Sequence, residues 1–257
     1  MTDILRLDHV GYAYPGGRPV LRDVSLSVTS GRSIGLVGQS GSGKSTILKL
    51  LLGLMRPQTG AALFDGAPLD LSDRQMMRTY RKSVQAVFQD PYASLDPRQK
   101  VQAIVAEPLR ALGIAGDRRA MVVAALRSVG LDADILDRYP AAFSGGQRQR
   151  IAIARAIVAG PRVVLADEAV SALDLTTKVR VVDLFRDIAR ETTLLFVSHD
   201  LGVVAALCDE IVILDGGRIV EAGPTRAVLA APAHAYTQQL LASVPRLPDF
   251  LAGASPS

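Results

Sequence analysis

Several features that would place a protein in a special class are scarce in this sequence. Cys208 is the single cysteine among 257 residues, which excludes a disulfide framework. The 22 glycines and 14 prolines are too few for a collagen-like or low-complexity chain. A hydrophobic fraction of 49% is too high for a disordered chain. A folded chain of this length forms one large domain or two modest ones.

Long apolar runs and a leader-like N-terminus are also missing. No stretch of about 18 uninterrupted apolar residues occurs, so we expect no membrane span. Residues 1–10 carry acidic side chains and lack an apolar central segment, so we expect no signal peptide. The high apolar content then indicates either a large buried core or a surface that a partner covers.

The net charge is modest. The 29 Lys and Arg residues exceed the 25 Asp and Glu residues by four, and arginine supplies most of the cations. An excess of this size is weak evidence for nucleic-acid binding. We therefore expect no nucleic-acid partner and place most arginines on solvated faces.

Hydrophobic periodicity indicates an α/β chain with a helical block inside it. Residues 4–31 alternate apolar and polar side chains around the turn Pro15-Gly16-Gly17, which predicts antiparallel strands. Further strands are predicted at Ser33–Val37, at 60–68 together with a turn, and at 163–166, 193–197 and 210–214. Helices are predicted at 45–55 (where Arg56-Pro57 would stop the helix), 176–190 and Leu201–Leu207, with a helical block over 96–159.

Strands that alternate with helices predict a parallel sheet with right-handed crossovers. The predicted fold class is α/β, with a parallel-sheet core, an N-terminal antiparallel β subdomain and an inserted α-helical subdomain. We expect one domain over 1–257, with core segments 1–95 and 160–245, an insertion at about 96–159 and a frayed tail at 246–257.

A glycine-rich loop follows the predicted strand Ser33–Val37 and precedes a predicted helix. It matches the pattern G-x-x-x-x-G-K-[ST], in which glycines let successive amides face phosphate oxygens. We expect the lysine to reach the β- and γ-phosphates of a nucleoside triphosphate and Ser45 to ligate Mg²⁺. The predicted nucleotide-binding residues of this loop are Gly38, Gln39, Ser40, Gly41, Ser42, Gly43, Lys44, Ser45 and Thr46.

Polar side chains follow two other predicted strands. Asp167 and Glu168 come after 163–166, and His199 comes after 193–197. The carboxyl ends of parallel strands line one crevice, so Asp167 could hold Mg²⁺ through water and Glu168 could orient or deprotonate an attacking water. His199 could bond to the γ-phosphate. Taken alone, a solvated strand end or a structural histidine explains these residues equally well.

The order of these motifs resembles that of the ATP-binding-cassette ATPases over nearly the whole chain. Its distinguishing element is Phe143-Ser144-Gly145-Gly146-Gln147, which is similar to the family signature LSGGQ with Phe in place of Leu. The resemblance implies a P-loop NTPase (RecA-like) core. It also implies that two ATPase domains sandwich two ATP molecules, each signature facing the phosphate loop of the other chain. Ser144, Gly145, Gly146 and Gln147 are thus expected nucleotide contacts.

Three further expectations rest on this resemblance. Gln89 is similar to the glutamine that contacts Mg²⁺ and water and couples to the membrane partner, and Asp174 closes a stretch similar to the D-loop. Tyr14 is similar to the aromatic residue that stacks on adenine, with Tyr12 as a weaker candidate. The catalytic set is then Glu168, His199 and Gln89, the metal set is Ser45, Gln89 and Asp167, and the cofactors are ATP and Mg²⁺.

Two stretches resemble the peptide and nickel importer branch of the family. They are residues 88–98 and 235–245, although Ala235 replaces the usual proline. This resemblance implies a peripheral subunit on the cytoplasmic face of the membrane. Its implied partners are a second ATPase subunit (a paralogue or itself), two membrane permeases that dock near residues 89–95, and indirectly an extracytoplasmic solute-binding protein.

Other functions stay open at this point. A soluble cassette ATPase could serve an enzyme complex, for example in phosphonate breakdown, without transport. A nucleic-acid-linked ATPase is less favoured, because such proteins usually carry two cassettes or long coiled-coil insertions. A simple P-loop kinase would leave the signature element without a role.

Overall fold

The computed structural model describes residues 2–243, and the predicted frayed tail at 246–257 lies outside them. The strands are β1 (Asp3–Ala13), β2 (Pro19–Thr29), β3 (Ser33–Val37), β4 (Thr59–Phe64), β5 (Ala67–Pro68), β6 (Val84–Val87), β7 (Val163–Asp167), β8 (Thr193–Ser198), β9 (Glu210–Asp215) and β10 (Arg218–Pro224). The helices are α1 (Lys44–Leu51), α2 (Arg74–Ser83), α3 (Pro91–Ser94), α4 (Val101–Val105), α5 (Glu107–Ala111), α6 (Arg118–Ser128), α7 (Gly145–Ile157), α8 (Leu175–Glu191), α9 (Leu201–Leu207), α10 (Thr225–Ala230) and α11 (Ala235–Ser243). Short 3₁₀ turns occupy Ala133–Ile135 and Pro140–Ala142.

The N-terminal region forms the predicted antiparallel sheet, in the order β2-β1-β4-β5. The β1–β2 hairpin turns at residues 14–17, where the amide of Gly17 donates to the Tyr14 carbonyl at 2.9 Å and Gly16 adopts a φ of 69°. Leu7 and Leu26 on the inner face are buried. The alternation of apolar and polar residues therefore predicted this subdomain correctly.

The second sheet has the order β10-β9-β3-β8-β7-β6. All pairs from β9 to β6 are parallel, as predicted, whereas β10 pairs antiparallel with β9. The predicted parallel core is confirmed, and it carries one antiparallel strand at its β10 edge. Gly216 and Gly217 both adopt positive φ between β9 and β10, which is the geometry of a tight hairpin turn.

The predicted helix after the glycine-rich loop ends earlier than expected. Helix α1 stops at Leu51, so Arg56-Pro57 is not its terminator. Gly53 has a φ of 63°, its amide donates to the Leu50 carbonyl, and the amide of Leu54 donates to the Lys49 carbonyl. These two bonds form a Schellman motif, which satisfies the last carbonyls of the helix.

The central sheet is covered on both faces. Val164 of β7 belongs to a core shared with the helices between β6 and β7, where Ile151 is fully buried, whereas Leu165 belongs to a core shared with the N-terminal sheet. The helical insertion is thus packed onto the sheet through one continuous apolar core. Sequence patterns did not predict α2, β6, α3, β10, α10 or α11.

The parallel pairing positions the functional loops. Because β3, β7 and β8 run in the same direction, Val37, Asp167 and Ser198 end at the same edge of the sheet. No helix within residues 2–243 is both long and apolar enough to span a bilayer.

Candidate active site

A cleft of about 860 Å³ opens where β3, β7 and β8 end. Most of the residues predicted from sequence meet in it, although they come from distant parts of the chain. The predicted residues that line the cleft are Tyr14, Gln39, Ser40, Gly41, Gly43, Lys44, Ser45, Thr46, Gln89, Asp167, Glu168 and His199.

The glycine-rich loop curls around the side chain of Lys44. Gly41 and Gly43 adopt φ values of 82° and 112°, which side chains rarely tolerate. The Lys44 ammonium donates to the carbonyls of Gly38 at 2.6 Å and Gln39 at 2.9 Å, so the lysine bridges the start of the loop. Burial lowers the pKa of Lys44, and the nearby carboxylates of Glu168 and Asp167 oppose that shift.

Gly38 and Ser42 belong to the loop but do not line the cleft. A Cβ atom at Gly38 would lie 2.3 Å from the Leu214 carbonyl oxygen, so the loop leaves β3 in close contact with β9. The Ser42 carbonyl accepts a hydrogen bond from the Gly217 amide at 3.1 Å. These two residues therefore hold the loop against the sheet instead of facing the cleft.

The start of α1 fits an anionic ligand. No side chain caps this helix, whose N-cap is Gly43. Within the described residues, the amides of Lys44 and Ser45 have no hydrogen-bond acceptor. Unpaired amides at a helix N-terminus, beside a buried ammonium group, form a phosphate-binding arrangement.

The two carboxylates line the same cleft at the end of β7. Glu168 adopts a φ of 44°, and this turn is held because its amide donates to the Val197 carbonyl and its carbonyl accepts two bonds from Ser171. The pKa of Asp167 is raised by burial and by the adjacent Glu168 charge, while Lys44 opposes the shift. His199 Nδ1 lies 3.2 Å from Glu168 Oε1, so the histidine and the candidate base form a pair.

The predicted metal ligands share this cleft. Ser45, Gln89 and Asp167 provide a hydroxyl, an amide and a carboxylate oxygen, which are the ligand types that Mg²⁺ prefers. In the part of the chain that the structure describes, no three His, Cys, Asp or Glu side chains cluster as a metal site. A sparse protein contribution suits Mg²⁺, which keeps waters and binds substrate phosphates.

Tyr14 lies at the mouth of the cleft. Its hydroxyl is 3.4 Å from Thr46 Oγ1, and its ring is 39% exposed, so a planar group could stack on it. Tyr12 packs edge-on behind it, with ring centroids 5.2 Å apart, and does not line the cleft. The geometry therefore favours Tyr14 over Tyr12.

The signature residues form a separate surface. Ser144 caps α7 in a capping box, because its hydroxyl accepts from the Gln147 amide and the Gln147 side chain accepts from the Ser144 amide. A Cβ atom at Gly146 would lie 2.2 Å from Thr177 Cγ2, and Thr177 in turn donates to the Asp174 carboxylate. These hydrogen bonds lower the pKa of Asp174.

This surface does not reach the cleft of its own chain. None of Ser144, Gly145, Gly146, Gln147 and Asp174 is among the described residues that line the cleft. The structure thus brings the signature together with Asp174 but keeps both apart from Lys44 and Glu168.

Sequence reasoning missed one residue that lines the cleft and one that supports its phosphate loop. Val20 of β2 lines it, and the hydroxyl of Tyr236 in α11 accepts a hydrogen bond from the Gln39 amide at 2.9 Å. The stretch that contains Tyr236 stood out in the sequence, but nothing in it pointed to the phosphate loop.

The chain is similar to known proteins in both sequence and fold. The family described as "ABC transporter" matches residues 21–171, and the family described as "Oligopeptide/dipeptide transporter, C-terminal region" matches residues 220–253. A peptide import ATP-binding protein of Brucella ovis is 44% identical over 230 residues, which cover 88% of this chain and 73% of that protein. The glutathione import ATP-binding protein of Salmonella typhimurium is 45% identical over 229 residues, which cover 88% of this chain and 37% of that protein.

Solved structures share the fold. A component of an ABC transporter complex from Clostridium perfringens gives a TM-score of 0.80 at 28% identity, over 90% of this chain and 92% of that chain. A dimeric ATP-binding cassette, solved in a post-hydrolysis state with ADP and Pi, gives a TM-score of 0.77 at 29% identity. The match covers 86% of this chain and 99% of the solved cassette.

Proposed function

The chain belongs to the ABC transporter family and is an ATPase, and from this premise we propose that it powers a membrane importer for peptides or a related small solute. The observation that carries the proposal is the cleft in which Lys44, Gln89, Asp167, Glu168 and His199 meet from separate segments. Peptides are favoured over nickel because the compared relatives are named for peptide and glutathione import.

The residues of the cleft divide the work of hydrolysis. The first amides of α1 and the Lys44 ammonium bind the phosphates, and Tyr14 stacks on the base. Glu168 orients the attacking water and takes its proton, while the water oxygen bonds to the γ-phosphorus and ADP leaves with the electrons of the broken P–O bond. His199 holds the Glu168 carboxylate and contacts the γ-phosphate. Mg²⁺, held by Ser45, Gln89 and Asp167, would neutralise phosphate charge.

A second ATPase subunit completes the site in this proposal. Ser144, Gly145, Gly146 and Gln147 lie outside the cleft of their own chain. The amides of Ser144 and Gln147 are used in the capping box, so the amides of Gly145 and Gly146 and the hydroxyl proton of Ser144 are the donors left for the nucleotide of a partner. The dimeric cassette among the solved relatives supports such an assembly. ATP binding closes the sandwich, and hydrolysis opens it. Asp174, which is bonded to the residue that packs on Gly146, belongs to the same interface.

The proposed permease contact lies beside Gln89. Phe88 and Tyr92 lie one and three residues from Gln89 in the sequence, and these large side chains are 42% and 60% exposed. Two permeases would cover these side chains in the assembled importer, place the chain on the cytoplasmic face of the membrane, and receive solute from an extracytoplasmic binding protein.

The single-domain division, with core segments 1–95 and 160–245 and a helical insertion at about 96–159, is part of this proposal.

The test is an affinity capture of the full chain from detergent-solubilised native membranes, with co-purifying proteins identified by mass spectrometry. We expect two permeases and an ATPase subunit. A Tyr92→Asp bait should lose the permeases but keep the ATPase partner. A soluble enzyme complex without permeases would contradict the importer role and favour a cassette ATPase that serves such a complex.

A further inference from the structure

The segment that follows Gln89 is fastened to the helix that follows the signature. Residues 91–94 form the short helix α3, and the Ser94 carbonyl accepts a hydrogen bond from Arg155 Nη1 at 2.5 Å. Arg155 lies in the second half of α7, and its burial lowers the pKa of its guanidinium. The charge of Glu107 partly opposes that shift, but the two side chains do not form an ion pair within the described residues. The Ser94 carbonyl is therefore the hydrogen-bond partner of this desolvated cation.

A second contact lies two helical turns earlier. The guanidinium of Arg148 stacks on the ring of Tyr92 at 4.1 Å from the centroid. Arg148 and Arg155 are seven residues apart on α7, so they project from the same face of the helix. The same ring lies beside Gly145, where a Cβ atom would be 3.8 Å from the Tyr92 hydroxyl.

These contacts join two functional surfaces. Gln89 lines the cleft, and the clamped segment begins at Asp90, whose side chain accepts from the Tyr92 amide. The N-terminus of α7 follows Ser144 of the signature. A segment held at two points on one helix face moves with that helix, so the place of the Gln89 side chain depends on where α7 lies.

Burying the guanidinium of Arg155 is less favourable than burying an apolar side chain of similar length at the same place. Taking a guanidinium out of water is unfavourable, and one neutral carbonyl compensates it less than a carboxylate would. An apolar side chain of similar length could fill the space, but it could not fix the position of the Ser94 carbonyl. The directional bond is what the arginine adds.

We propose that Arg155, together with Arg148, is a positioning residue that clamps residues 90–94 onto α7 and thereby holds Gln89 at the cleft for hydrolysis. The inference rests on the proposed function, because it requires that Gln89 assists turnover.

The first test compares the ATP hydrolysis of Arg155→Met with that of the unmodified full chain. We expect kcat to fall about tenfold, because small displacements of a positioned group are costly, while KM for ATP stays within about twofold. Arg155→Lys, which keeps one donor, should recover most of the rate. Arg150→Met is the matched control, since Arg150 lies on the same helix, is partly desolvated and donates to the Gly130 carbonyl at 3.0 Å, away from Gln89.

A double-mutant cycle separates positioning from a general loss of structure. If Arg155 acts through Gln89, Arg155→Met should slow the Gln89→Ala chain by less than about twofold. Equal losses in both backgrounds, or an unchanged kcat in Arg155→Met, would overturn the inference. A Gln89→Ala chain with normal turnover would instead contradict the proposed role of Gln89. If Arg155→Met does not fold, Tyr92→Leu at the exposed end of the clamp is tested in the same cycle, with the same two outcomes.

Discussion

The backbone amide of Gln39 donates to the hydroxyl of Tyr236 at 2.9 Å, although 197 residues separate the two. Tyr236 is 9% exposed, and burial raises the pKa of its hydroxyl. The C-terminal helix α11 thus takes part in shaping the phosphate loop. Glu221 anchors the start of this helix by accepting bonds from the amides of Ala233 and His234.

Replacing Tyr236 with Phe should therefore affect both stability and nucleotide binding. The Gln39 amide loses its acceptor at a part-buried position next to the open cleft, so we expect the unfolding free energy to fall by about 0.5–1.5 kcal/mol. The loop then relaxes, and we expect KM for ATP to rise several-fold with a smaller change in kcat. Tyr139→Phe, which alters an exposed ring far from the loop, is the control. An unchanged melting temperature together with an unchanged KM would show that this hydrogen bond contributes neither to stability nor to nucleotide binding.

Lys44→Ala should remove turnover. The substitution deletes the ammonium that bridges Gly38 and Gln39 and leaves the phosphates without their nearest cation. We expect hydrolysis to fall by more than about a hundredfold and ATP affinity to weaken in a calorimetric titration. Lys82→Ala on the exposed face of α2 is the control. Hydrolysis at the normal rate would contradict the assignment of the phosphate loop.

Glu168→Gln should separate ATP binding from hydrolysis. The amide keeps the size of the side chain but cannot take a proton from water, so turnover should fall by more than about a hundredfold while ATP still binds. An ATP-dependent dimer should then accumulate in size-exclusion chromatography. Glu191→Gln at the exposed end of α8 is the matched control. If Glu168→Gln hydrolyses ATP at the normal rate, another group is the base.

Much of the site was predictable because its signals are local. The residues of the phosphate loop are adjacent in sequence, and the glycines, the lysine and the flanking elements specify one another. Asp167, Glu168 and His199 were predictable together for a topological reason, since parallel strands deliver their carboxyl ends to one edge.

The remaining features depend on contacts that no local pattern encodes. Tyr236 lies in a helix whose composition resembles many others, and its hydroxyl meets Gln39 through tertiary packing alone. The burial of Arg155 is equally invisible, because an arginine in a helix is usually solvated. The end of α1 was predicted wrongly although its signal is local. Gly53 ends the helix at Leu51, ahead of the proline that was expected to stop it.

Ser144→Arg should block the partner's site without harming its own. Ser144 does not line the cleft, so ATP binding to the altered chain should persist, while the bulky cation on the signature surface blocks the composite site that this signature faces. A dimer of two altered chains should therefore not hydrolyse ATP. Ser144→Ala is the control for the lost helix cap. It should lower stability by about 1 kcal/mol but adds no bulk or charge to the signature surface. Normal turnover by Ser144→Arg would argue against the signature assignment.

Mixing two inactive variants tests whether the signature acts on a second copy of this chain. In a mixed dimer, Ser144→Arg supplies an intact phosphate loop and Lys44→Ala supplies an intact signature, so one of the two composite sites is complete. If like chains pair, hydrolysis should reappear on mixing and reach its maximum near equal amounts. A site completed within one chain predicts no recovery, since each variant would remain defective by itself. If the native partner is a paralogue, the recovery should require that paralogue in place of the Lys44→Ala chain.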